Sequence, residues 1–241
     1  MGELTICSHS SEPFDSREQA GQLLAAELSE RLQHATHGLP KTSEHPGQDV
    51  VVLGVPRGGI IVGREVAERL SAPLDIVLTR KIGAPGYPEA AIGAITEDGK
   101  VFVNEETAAR VGAGQQYIES ERQAVLAEIA RRARLCRRVR PKAPVAGKVA
   151  VLTDDGVATG ATMQAAIWAV RQEQPALVVV ALPVGPADSI QKLARDADEL
   201  ICLRCPPHFQ AVGQFYRHFE QVEDRALLEV LAQEAKRGAH V

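Results

Sequence analysis

Aromatic side chains are scarce in this chain: Phe, Tyr and Trp make up 4% of 241 residues, and there is a single Trp. Proteins that hold single-stranded nucleic acid stack its bases on aromatic platforms, so this shortage argues against such a surface. A charge of one sign is also lacking. Lys and Arg number 27 against 31 Asp and Glu, a formal net charge of -4. No global basic field therefore draws the chain to nucleic acid or to a membrane. No apolar run approaches the roughly 20 residues that a spanning helix needs. The stretch Met1 to Ser11 is polar and carries no signal-peptide core, so a soluble, cytoplasmic protein is expected. Cysteine is limited to Cys7, Cys136, Cys202 and Cys205, which suits reduced thiols rather than a disulfide framework.

What is present suits a packed α/β protein. The apolar fraction of 45% is ordinary and sufficient for a core. Ala20, Leu24, Leu28 and Leu32 recur at helical spacing, which predicts a helix over Ser16 to Leu32 capped by Asp15 or Ser16. His34 to Gln48 lacks apolar periodicity and reads as a mobile linker. Strands are expected at Asp49 to Val55, Leu74 to Thr79, Lys148 to Thr153, Leu177 to Leu182 and Leu200 to Leu203. Their continuous apolar character suits a sheet covered on both faces. Arg80 to Ala90, with two Gly and two Pro, reads as a loop, and a hairpin follows around Asp98-Gly99. Helices are expected after Gly59 and over Gln115 to Arg138, Thr162 to Gln172, Asp188 to Arg195 and Asp224 to Lys236. Alternating strand and helix implies a mainly parallel sheet flanked by helices. The expected organisation is an N-terminal helix and linker over 1–48, a core over 49–205, and a C-terminal segment and helix over 206–241.

The strongest chemical signal is Asp154-Asp155-Gly156-Val157-Ala158-Thr159-Gly160-Ala161-Thr162, between a strand and a helix. Gly156 and Gly160 permit backbone angles and close approaches that a side chain blocks. Successive N–H groups at a helix start make an anion site, to which Thr159 and Thr162 add hydroxyl donors. Two carboxylates repel phosphate, so they suit ribose hydroxyls, directly or through hydrated Mg²⁺. A tight turn with capping threonines is the plain alternative, but the whole combination favours a ligand. No Gly-Lys-Ser/Thr ending and no Gly-x-Gly-x-x-Gly is present at this loop, which excludes the nucleoside-triphosphate and dinucleotide versions.

This loop, continued to Met163, resembles the signature of type I phosphoribosyltransferases. The resemblance covers Asp49 to about Leu203 and implies that fold, with a small hood built from terminal segments. It implies that Asp154 and Asp155 contact the ribose hydroxyls of phosphoribosyl pyrophosphate, with Mg²⁺ held through water, and that the following loop holds the 5-phosphate.

Gly54-Val55-Pro56-Arg57-Gly58-Gly59 also lies at the carboxyl end of an expected strand, where open α/β sheets bind ligands. Backbone N–H groups of Gly58 and Gly59 with the Arg57 cation suit a second anion; a tight turn is the alternative. The stretch resembles the pyrophosphate loop of adenine phosphoribosyltransferases. Arg80 and Lys81 precede a Gly- and Pro-containing stretch, which suits a charged flap over a leaving group; a solvated basic pair is the alternative. This element too resembles the adenine enzymes. Glu89, at the base of the flap, suits a proton donor or base, or a surface carboxylate.

Other signals are weaker. Cys202-x-x-Cys205 with nearby His208 is half of a zinc motif without a second pair, and core packing is the better reading. Arg131 to Lys142 holds seven basic residues and no acidic one, read as the wet face of a helix rather than an RNA surface. Phe209, Phe215 and Tyr216 concentrate aromatics near Pro206-Pro207. By the resemblance, Phe209 to Tyr216 is a candidate hood over the acceptor; packing of the C-terminal helix is the alternative.

The implied activity is Mg²⁺-dependent transfer of phosphoribose to a small nitrogenous acceptor. Enzymes for 6-oxopurines carry an Asp four residues after the first acid of the pair, and Ala158 stands there instead, which argues against such acceptors. The chain resembles a group of bacterial phosphoribosyltransferase-like proteins of unassigned acceptor. A phosphoribosyl-pyrophosphate-sensing regulator and a hydrolase remain as alternatives, and a homo-oligomer stays open.

Overall fold

The computed structural model describes residues 2–35, 47 and 49–238. Most of the expected linker, His34 to Gln48, therefore lies outside the described residues. Among those described, one sheet is built from six strands: β1 (Glu3–Ser8), β2 (Val50–Gly54), β3 (Leu74–Ile76), β7 (Val149–Thr153), β8 (Leu177–Val184) and β9 (Glu199–Arg204). Their order across the sheet is β1-β9-β8-β7-β2-β3, and every pairing is parallel. The mainly parallel α/β fold expected from the sequence is the fold observed.

Helices cover both faces. On one, α1 (Arg17–Ala35), α2 (Gly59–Leu70) and α7 (Asp224–Gly238) bury Leu24, Leu28, Ile60, Val66, Val230 and Leu231 against Val52, Val151 and Ile201. On the other, α5 (Ala161–Arg171) and α6 (Ala187–Leu193) bury Met163, Ile167, Ile190 and Leu193 against Val51, Leu152 and Val180. The inner strands are thus apolar on both faces, which is why they read as continuous apolar runs. The cap of α1 is the expected one: Ser16 Oγ accepts from the Gln19 N–H at 3.4 Å.

Chain order creates the crevice. From β2 the chain passes through α2 on one face to β3; from β7 it passes through α5 on the other face to β8. The two strands are neighbours, with Gly54 opposite Thr153, so their following loops leave the sheet side by side. Such a switch point is where open α/β sheets bind ligands.

Two expectations are corrected. Arg80 to Ala90 is not a loop. β4 (Thr79–Ala84) and β5 (Tyr87–Thr96) pair antiparallel through a turn at Pro85-Gly86, and β6 (Val101–Val103) completes a separate three-stranded sheet. The glycines and prolines that suggested a loop occupy the turn and a pairing irregularity at Gly83, where a Cβ would meet the Pro88 backbone at 2.7 Å. The N-terminal segment also supplies more than a helix: β1 extends the core sheet on β9, a short, half-exposed edge strand without apolar alternation.

The second sheet packs on α5 through Phe102, Ala91, Ala161 and Trp168, and on α3 (Glu105–Arg110) and α4 (Gln115–Val139) through Ile82, Ile92, Ile95 and Ala108. One charged cluster ties it to the core. Arg137 of α4 donates to Asp75 at 2.7 and 3.0 Å and to Glu97 at 2.9 and 3.1 Å. Asp75 is fully buried and also accepts from the N–H groups of Ile76 and Ala143. The basic run Arg131 to Lys142 is therefore not simply a wet helix face, because Arg137 is one of its members.

Candidate functional site: two loops at a switch point

Asp154 and Asp155 leave β7 directly. Asp154 Oδ1 accepts from the Asp155 N–H at 2.8 Å. Burial, and then the neighbouring Asp155 charge, push its pKa well above the usual carboxylate range. Asp155 Oδ2 accepts from Arg17 Nε at 2.7 Å, in a pair whose side chains are 10% and 14% exposed. Burial raises the Asp155 pKa even so, against the pull of Arg17. Arg17 also donates to the Glu220 carbonyl at 2.9 Å and lies 3.9 Å from the Phe219 ring centroid.

Gly156 has φ +155°, and a Cβ there would meet Val212 at 2.7 Å and Val184 at 2.9 Å. Gly160 has φ +73° at the start of α5, a left-handed conformation that disfavours any side chain. Between them, Val157 points inward and its N–H bonds the Val184 carbonyl at 3.0 Å. The Ala158 carbonyl accepts from Ser189 Oγ at 2.6 Å. Ala158, Thr159 and Thr162 are exposed, whereas Ala161 is buried against the second sheet. The N–H groups of Ala158, Thr159, Gly160 and Thr162 take no acceptor among the described residues. That is the donor cradle an anion site requires.

Pro56 to Gly59 runs beside it, with the Pro56–Arg57 peptide bond cis. The two glycines there answer to packing. A Cβ on Gly58 would lie 1.8 Å from Asp155 Oδ2, and one on Gly59 would lie 2.6 Å from the Thr153 carbonyl. Any side chain at either position would drive the two loops apart. Arg57 is half-exposed, with Nη1 3.9 Å from Asp224 at the start of α7.

Opposite these loops, β4 brings its cations to a cleft of about 130 Å³, lined by Pro56, Thr79, Arg80, Lys81, Arg132 and Thr162 among others. Arg80 pairs with Glu128 of α4 at 2.5 Å, and Lys81 with exposed Glu89 at 3.0 Å. The cleft thus joins the Pro56 loop, the Thr162 helix start and the Arg80-Lys81 strand. The aromatic segment packs elsewhere. Phe209 stacks on Phe215 at 5.2 Å, and Tyr216 lies 5.5 Å from Phe14. These rings, with Ala20 and Val184, form a small cluster joining both terminal segments rather than a seat for α7. Tyr216 is buried and reaches the site through its hydroxyl, which donates to the Asp155 carbonyl at 2.5 Å.

The sequence reading missed Arg17, Glu128 and Arg132. Arg17 and Glu128 sit in helices with no motif around them, Arg132 lies in the basic run read as a wet helix face, and only the tertiary fold brings them to the site. The half zinc motif carries no such geometry. All four cysteines are free thiols, and burial pushes Cys202 and Cys205 up. Among the described residues no cluster of three or more His, Cys, Asp or Glu is placed to hold a metal, and no helix is long and apolar enough to cross a membrane.

Known proteins resemble this chain. A family model described as a phosphoribosyl transferase domain matches residues 22–220. Two Mycobacterium tuberculosis proteins, from strains CDC 1551 / Oshkosh and ATCC 25618 / H37Rv, carry the name "Putative phosphoribosyl transferase". Each is 42% identical over 211 residues, covering 88% of this chain but 44% of the relative. The chain thus spans less than half the length of these curated relatives. The crystal structure of TT1426 from Thermus thermophilus is 43% identical, covers 92% of this chain and 99% of its own, and superposes with a TM-score of 0.81. The family model covers both glycine loops and the cationic strand, and on that extent the chain belongs to the phosphoribosyl transferase domain family.

Proposed function

We propose that the chain transfers the phosphoribosyl group of phosphoribosyl pyrophosphate to a small nitrogenous acceptor that is not a 6-oxopurine. The observation that carries this is a cradle of unpaired N–H groups beside a cationic cleft at one switch point. The Gly156–Thr162 cradle offers unpaired N–H groups, and a cleft beside it holds Arg80 and Lys81. A ribose bearing a 5-phosphate and a pyrophosphate needs both.

In this reading the 5-phosphate sits on the N–H groups of Ala158, Thr159, Gly160 and Thr162, with the Thr159 and Thr162 hydroxyls beside them. Asp154 faces the ribose hydroxyls. Arg57, Arg80 and Lys81 receive the negative charge that develops on the leaving pyrophosphate. As the C1–O bond breaks, the pyrophosphate keeps its electron pair, and the acceptor nitrogen supplies the pair for the new C1–N bond. The protein's contribution is alignment and charge neutralisation. Glu89, held by Lys81 at 3.0 Å, is the carboxylate available for the acceptor's proton.

Mg²⁺ fits the donor set. Asp154 is a carboxylate short of positive partners, raised by burial and by Asp155, and it is a hard oxygen donor. Mg²⁺ takes one or two carboxylates together with water and substrate phosphates rather than an all-protein cage. Asp154 and Asp155 would hold it through water, and bound there it would neutralise phosphate charge.

The test is pyrophosphate release with Mg²⁺ across purine, pyrimidine and pyridine acceptors and with none. Release with one acceptor class supports transfer, and base-independent release indicates hydrolysis. A second reading, a sensor that binds phosphoribosyl pyrophosphate without turnover, has one observation in its favour: Arg17 already occupies Asp155. Binding without release for any acceptor would favour it.

A further inference from the structure

The cleft beside Arg80 and Lys81 has a third cation, supplied by α4. Arg132 lines it together with Pro56 and Thr162. Its situation differs from that of its two neighbours. Arg80 is held by Glu128, and Lys81 by Glu89. The Arg132 side chain makes no hydrogen bond or ion pair with any described residue, and its Nε is buried without a partner. A buried guanidinium donor left unpaired is costly, and retention of one inside a cleft points to a ligand that completes it. The residues lining this cleft include Arg80, Lys81 and Arg132 but no carboxylate, and Val55, Val77 and Leu78 give it apolar walls. Apolar walls strengthen each charge interaction inside. Glu128 stands one turn before Arg132 on the same helix, so it draws Arg80 aside and leaves Arg132 free to face the Pro56 loop.

We propose that Arg132 is a pyrophosphate-binding residue, a planar donor fork that joins α4 to the Pro56–Gly59 loop through the anion. This rests on the phosphoribosyl transfer reading of the same site. Arg is suited to this because its fork can meet two phosphate oxygens at once.

The experiment is calorimetric titration of the full chain with inorganic pyrophosphate plus Mg²⁺, and separately with ribose 5-phosphate. R132Q should weaken pyrophosphate binding about 30-fold, as expected for truncating a desolvated charge contact. Ribose 5-phosphate affinity should stay within about twofold, since its cradle is built from backbone N–H groups. R132K should fall between, keeping charge but losing the fork. Thermal melts of R132Q and R132K keep a folding defect separate from a binding defect. Unchanged pyrophosphate affinity in folded R132Q overturns the proposal, as does equal weakening of both ligands. If the wild-type chain binds ribose 5-phosphate but not pyrophosphate, the Arg132 proposal falls and the sugar-phosphate site survives. If it binds neither, the transfer reading itself falls and takes Arg132's role with it.

Discussion

Carboxylates at two strands of the same parallel sheet, one within β3 and a pair just past β7, are treated in opposite ways. Asp75 in β3 is fully buried and saturated: Arg137 donates to both its oxygens, and the N–H groups of Ile76 and Ala143 complete them. Asp154, at the end of β7, accepts one backbone bond and faces a second carboxylate. The first is a joint between the core sheet and the second sheet. The second is a desolvated carboxylate at a crevice with no cation of its own among the described residues, the arrangement expected where a ligand supplies what the protein withholds. Asp155 stands between the two cases, with one cation, Arg17, but not a full set.

The contrast breaks most sharply at Arg137. R137A leaves Asp75 charged and unpaired in the core, and removing one partner of a buried pair costs about 3–5 kcal/mol. A large fall in the denaturant midpoint is expected, and a fall below about 1 kcal/mol would show that Asp75 is not the joint described. Next comes Arg17→Met. It frees a partly buried Asp155 and should destabilise by about 2 kcal/mol, less than R137A because Asp155 is less enclosed. The transfer reading adds that such a variant keeps ribose 5-phosphate binding, measured by titration.

Asp154→Asn separates stability from function. The Asn oxygen can keep the Asp155 N–H bond while the desolvated charge disappears. Stability should hold or rise by about 1 kcal/mol, and the transfer reading predicts that Mg²⁺-dependent binding of phosphoribosyl pyrophosphate is lost. A variant that melts early yet binds normally would make Asp154 another Asp75.

The smallest effect concerns the sheet edge. Glu3 and Glu199 are register partners across β1 and β9, and burial first, then Glu3, raises the Glu199 pKa above 4.5. In the window above that value the folded chain binds more protons than the unfolded one, so stability falls as pH rises through it. The cost is absent below the unfolded value and grows as pH rises through the raised one. Glu199→Gln should therefore gain less than about 1 kcal/mol at pH 7 and nothing at about pH 4, read from paired melts.

The sequence by itself determined the parallel core and the β7 loop, because both are local. Inner strands covered on both faces are mostly apolar, and this strand-to-helix turn has glycines at Gly156 and Gly160, where a side chain would clash or strain the backbone. Of the second sheet, the hairpin around Asp98-Gly99 was legible, but β4 and its pairing were hidden because Gly83, Pro85 and Gly86 read as loop chemistry, although they serve a turn and an irregular pairing. β1 was hidden because a half-exposed edge strand needs no apolar pattern. Only the tertiary structure decided that Gly58 must be glycine because Asp155 lies against it. It alone decided that Arg17 sits on the acidic pair, and that Arg132 reaches the cleft while Arg137, five residues on, is sealed into the joint. Along α4 these two arginines look alike. Their environments separate them, because charge pairing depends on distances across the fold that no local pattern encodes.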